Sequence, residues 1–147
     1  MFKLKNANYD SVSGESFATI VTELGEFSGM ARLHEEDRDK ASGFFGCEIA
    51  EIRALIKYAK KRKSIAFHQY KVLNNLYKNL SQIKEFNEDS FEIKKIRRCI
   101  RRSINEHFNE YDNWKDNIKM LEESIDKKCV MREKMLENIS NKKGKTE

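Results

Sequence analysis

The stretch KKIRRCIRRSINEHF, Lys94 to Phe108, holds the residues of this chain best suited to chemistry. Lys94, Lys95, Arg97, Arg98, Arg101 and Arg102 fall within nine consecutive positions. Arginine presents a planar fork of donors that matches phosphate or carboxylate oxygens, so a row of such groups is a candidate grip on a polyanion. Projected at about 100° per residue, Lys94, Arg97, Arg98 and Arg101 share one flank of a helix, with Arg102 beside them. Lys94, Arg97, Arg98, Arg101 and Arg102 are therefore the expected anion-binding set. No base-reading motif accompanies them, so any nucleic acid would be held without sequence preference.

Arg102 is followed five positions later by His107, a cation to hold a phosphate and an imidazole to move a proton. The segment RSINEH resembles the loose R-x4-H pattern of HEPN-type ribonucleases, which are also all-helical. The resemblance implies catalytic roles for Arg102 and His107. The residues also admit a simpler reading: His107 falls on the apolar seam of its helix, where a polar residue sets register. No glycine-rich phosphate loop, metal-ligand spacing or nucleophile elbow occurs, so neither metal nor cofactor is expected, and binding is favoured over catalysis.

The elements that must position these groups read as helices. The 147 residues fit one domain, 39% apolar and 36% charged, with no proline to interrupt a helix. Residues 1–14 lack periodicity and are expected to form a flexible arm. In ESFATIVTELGEFSGMARL, Phe17, Ile20, Val21, Leu24, Phe27 and Ala31 recur at three- and four-residue steps, which predicts helix A over 16–33. Gly25 and Gly29 weaken that helix and imply a close neighbour. The acidic segment 34–40 and a glycine-containing turn, ASGFFG, follow. Helix B is expected at 45–85 and helix C at 90–139, begun by a capping box at Asp89 and Glu92. The tail, 140–147, is expected to be disordered. Tyr70, Tyr77, Tyr111 and Trp114 fall on the seam and read as packing residues.

The expected fold is all-α: a long, coiled-coil-like antiparallel helical hairpin with the shorter N-terminal helix packed near its open end. The short turn sets facing residues of helices B and C at numbers adding to about 175. Helix C then overhangs helix B, and Met131, Met135 and Ile139 are expected to mediate self-association, giving a homo-oligomer. Such a shape resembles hairpin adaptors such as flagellar export stalk proteins and phage assembly or recombination accessories, at the level of fold alone. Lysine- and asparagine-rich usage fits an AT-rich bacterial or phage genome.

Charge divides unevenly along the chain. Residues 1–50 carry 5 basic and 9 acidic groups, residues 51–105 carry 15 and 5, and residues 106–147 carry 9 and 10. The cluster Arg53, Lys57, Lys60, Lys61, Arg62 and Lys63 faces Asp112, Asp116 and Glu122 in the expected register and reads as intramolecular pairing. The stretch at 94–102 faces 73–81, which has no acid. The reading is a non-enzymatic interaction or assembly module with a basic tip for an anionic partner, either an acidic protein surface or a nucleic acid. Cys47, Cys99 and Cys129 are widely spaced and imply a reducing, cytoplasmic setting, and no apolar run is long enough to cross a membrane.

Overall fold

The computed structural model describes residues 2–32 and 43–144. Three strands come first: β1 (Lys3–Asp10), β2 (Glu15–Thr22) and β3 (Gly25–Arg32). Two helices follow, α1 (Gly43–Leu80) and α2 (Phe91–Lys143), joined through a 3-10 turn at Glu85–Asn87. The fold is therefore α+β, not the all-α hairpin expected from periodicity. Helix A does not form, and part of the expected arm is strand β1. The glycines of ASGFFG do not break the chain into a turn, because α1 already begins at Gly43. The acidic segment 34–40 lies outside the described residues.

Physical reasons for the strands are visible in β2. Its residues alternate, with Ser16, Ala18, Ile20 and Thr22 buried and Phe17 and Val21 exposed. That is a period of two, obscured in sequence because Ser16, Ala18 and Thr22 face inward beside Ile20 while the large Phe17 and Val21 face solvent. The β-branched run Thr19–Thr22 favours the extended chain. Both turns of the meander are chemically specified. At the first, Asp10 accepts from the Val12 amide at 2.9 Å, and Gly14 takes φ 69°. At the second, the Thr22 hydroxyl donates to the Gly25 carbonyl and accepts from the Leu24 amide, and Gly25 takes φ 108°.

The chain divides into two compact units, residues 1–58 with 118–147, and residues 59–117. In the first, the small-residue face of the sheet meets α1. Ala18, Ala31, Ile49 and Ala50 form the buried cluster, with Ile125 and Cys129 of α2 packed against it. Gly29 lies so close to α1 that an added Cβ would collide with the Ala50 carbonyl oxygen and stand 2.6 Å from the Ala54 amide nitrogen. The close approach implied by Gly29 is real, but it is made by a strand. Lys128 of α2 pairs with Glu48 of α1 at 2.7 Å.

Residues 59–117 form an antiparallel helix pair. Arg62 meets Glu110, Phe67 meets Tyr111, Tyr70 meets Phe108 and Tyr77 meets Arg101. Residue numbers in each pair add to about 175, the register expected from a short connection. The connection itself is ordered. Phe86 is buried against Tyr77, and the Asn87 amide donates to the Ser81 and Ile83 carbonyls. α2 is capped by Ser90, whose hydroxyl accepts from the Ile93 amide at 3.3 Å, instead of by the Asp89–Glu92 box.

Candidate functional site

The start of α2 distributes its cations by helix phase. Arg97 points inward and donates to the Phe86 carbonyl at 3.0 Å, so it holds the connection closed. Lys94 reaches back to Asp89 at 2.6 Å. The Lys94 hydrogen bond and then its charge hold the Asp89 carboxyl below its ordinary value, against a lesser opposing effect of desolvation and with the smallest help from the charge of Arg97. Arg101 donates through Nε to the Tyr77 hydroxyl at 2.8 Å, with its guanidinium 5.3 Å from the ring centroid. Lys95, Arg98 and Arg102 are exposed and make no hydrogen bond or ion pair among the described residues. Phe91, Lys94, Lys95 and Arg98 line a depression of about 450 Å³. The expected set therefore divides: Arg97 is structural, Lys94 and Arg101 are tethered yet solvent-reachable, and Arg98 and Arg102 are open.

The other basic cluster behaves differently from the expected pairing. Arg53 and Lys57 donate to the Met30 and Ser28 carbonyls, each at 2.6 Å. Those carbonyls belong to β3, which among the described residues is an edge strand bonded only to β2. Two side chains thus occupy acceptors that a further strand would need. Arg62 lies 3.8 Å from Glu110 and over the Trp114 ring at 5.6 Å. Asp112, Asp116 and Glu122 are not the partners found.

Arg102 and His107 are not brought together. Arg102 is exposed on its helix, while His107 is half-buried, its Nδ1 lying 3.9 Å from Glu110 with no hydrogen bond. His107 and His68 line a groove of about 340 Å³ with Gln69, Val72 and Leu73. Among the described residues, no group of three or more histidine, cysteine or acidic side chains could hold a metal ion.

An aromatic cluster lies on the helix pair. Phe67 and Tyr70 from α1 and Phe108 and Tyr111 from α2 make a closed quartet, each ring within 6.3 Å of two others. Phe67 is 37% exposed and Phe108 41%, so the quartet is open to solvent on one side. The Lys71 ammonium sits 4.7 Å from the Phe67 centroid. The seam tyrosines pack as expected, but Phe67, Phe108 and Lys71 lie off the seam and were not legible as part of a site. Their signal was the register: 67 and 108 add to 175. In the other unit, Met131 and Met135 are about half exposed and Ile139 is 38% exposed. No family model matches the chain, and neither a curated protein nor a solved structure shows significant similarity to it.

Proposed function

We propose that this protein is a non-enzymatic interaction module whose basic α2 start binds an anionic partner. The observation that carries the reading is the exposure of Lys95, Arg98 and Arg102 without an acidic partner among the described residues, next to the tethered Lys94 and Arg101. A helix flank that merely needed solvation has no reason to gather these charges opposite a segment, 73–81, that lacks acids. The separation of Arg102 from His107 favours binding over ribonuclease chemistry. Among the described residues the three cysteines are free, which fits a reducing compartment. No described helix is long and apolar enough to cross a membrane.

The test is the salt dependence of heparin and duplex-DNA binding. Four phosphate contacts give a log–log slope near −3.6 on DNA, at about −0.9 per contact. Arg98→Glu with Arg102→Glu removes two contacts and should flatten the slope by about 1.8 without changing helix content. Unchanged binding at every salt concentration would reject the basic face as the site. The exposed Met131, Met135 and Ile139 favour self-association as a second feature. Sedimentation at micromolar concentration should show species heavier than 17.4 kDa, and Met135→Glu should return them to monomer. A wild-type monomer at all concentrations removes that feature.

A further inference from the structure

We propose that the anionic partner is a single-stranded nucleic acid, whose bases stack on the solvent-open Phe67–Tyr70–Phe108–Tyr111 quartet while its phosphates run to Arg101 and Arg98. The proposal rests on the anion-binding reading above and specifies the ligand. Three observations carry it. The first is the open quartet itself. Rings packed only to complete a helix seam would be buried, yet Phe108 and Phe67 retain more than a third of their surface, Phe67 with the Lys71 ammonium over its ring. Aromatic faces accept any base, because every base has a π-face.

The second is that cations and rings share one flank. Lys71 sits over Phe67 and Arg101 over Tyr77. Lys94, Arg101 and Phe108 repeat at intervals of seven residues, so they lie in one line along α2, about 10 Å apart. Arg98 falls beside that line and is unpaired among the described residues. A strand laid along the pair would meet the rings first and a guanidinium two turns later, nearer the connection. Charged phosphates and flat bases are the two chemistries that such an alternation can hold together.

The third is the scarcity of acid in the sequence that builds the flank between the rings and the connection. From Ile52 to Lys84 there is no aspartate or glutamate, and from Ile93 to Asn105 there is none. Beside the rings the sequence holds Glu106, Glu110 and Asp112, of which Glu110 lies 3.8 Å from Arg62, and near the connection Asp89 is occupied by Lys94. A duplex would present the same phosphates, but its bases are stacked inside it and could not reach the rings. An acidic protein would satisfy the cations and leave the open quartet without a role.

The test compares ligands of about equal charge in fluorescence anisotropy: a labelled 20-nucleotide oligothymidine, an abasic strand of the same length, and a 10-base-pair duplex, with polyglutamate as competitor. One base on an aromatic platform contributes about 1–3 kcal/mol, which corresponds to roughly five- to 150-fold in affinity. Oligothymidine should therefore bind the wild-type chain at least about fivefold more tightly than the abasic strand. Phe67→Leu with Phe108→Leu keeps apolar side chains beside the seam and should remove that advantage while leaving abasic binding unchanged. Equal affinity of the wild-type chain for oligothymidine and the abasic strand overturns the stacking proposal and leaves the charge reading intact. Preference for duplex, or equal competition by polyglutamate, also overturns it, the latter in favour of an acidic protein. Failure to bind any of the four, and heparin as well, overturns both readings. The wild-type comparison decides the matter even if the double variant fails to fold.

Discussion

Replacement of Gly29 by alanine should disrupt the contact between the sheet and α1. The added Cβ would collide with the Ala50 carbonyl oxygen and lie 2.6 Å from the Ala54 amide nitrogen. Both obstacles are backbone, so no rotamer change relieves them. Ala18, Ala50 and Ala54 are fully buried around the contact, which leaves no slack. Overpacking a core costs about 1–3 kcal/mol, and a backbone obstacle puts this case at the upper end, near 3 kcal/mol. With a urea dependence of about 1.5 kcal/mol per molar, the unfolding midpoint should fall by about 2 M. Circular dichroism at 222 nm against urea reads the shift. Gly144→Ala is the control, because its nearest atom, the Ser140 carbonyl oxygen, lies at 3.8 Å, an ordinary contact. Its midpoint should move by less than about 0.5 kcal/mol equivalent. A Gly29→Ala chain that unfolds at the wild-type urea concentration would show that the sheet does not sit this close to α1.

Other consequences follow from the same structure. Gly25→Ala meets nothing within 4 Å, so its cost comes from φ 108° alone, about 1–2 kcal/mol, and D-alanine introduced by chemical ligation should restore stability. Arg53→Ala with Lys57→Ala uncovers the Ser28 and Met30 carbonyls at the sheet edge, and light scattering should show increased concentration-dependent aggregation relative to wild type. The Asp89 carboxyl should titrate below 3.8 by NMR, and Lys94→Ala should raise it toward that value. Because the folded value is lowered, its small contribution to stability is present above the unfolded value and is lost as pH falls through the folded one. Asp89→Asn should flatten only that acid limb.

What could be read from sequence depended on which signal reported burial. In the helices, large apolar residues mark the buried face, so periodicity placed both elements, their antiparallel direction and a register that Tyr70–Phe108 and Tyr77–Arg101 match. In the sheet the relation is inverted. Ser16, Ala18, Gly29 and Ala31 are buried because α1 approaches too closely for larger side chains, and Phe17, Val21 and Met30 are left outside. A reading that follows large hydrophobes then selects the wrong face and, in this segment, the wrong period. Turn chemistry was the better guide there: Asp10 with Gly14 and Thr22 with Gly25 bracket a run of β-branched residues.

The basic stretch shows the same limit in charge. Counting cations located the patch, but not which of them were already engaged. Arg97 is consumed by the Phe86 carbonyl, an acceptor that belongs to backbone and leaves no trace in composition. Arg53 and Lys57 are consumed by strand carbonyls for the same reason. Pairing rules that match lysine and arginine only to acids therefore misassign cations wherever a helix passes an exposed backbone edge. Subtracting those engaged groups leaves Lys95, Arg98 and Arg102 as the charges of this stretch without a partner among the described residues. With Arg101 held over Tyr77 and Lys71 over Phe67, the rings and cations form one continuous flank of the helix pair. That flank, and not the arginine–histidine spacing, carries the binding we propose.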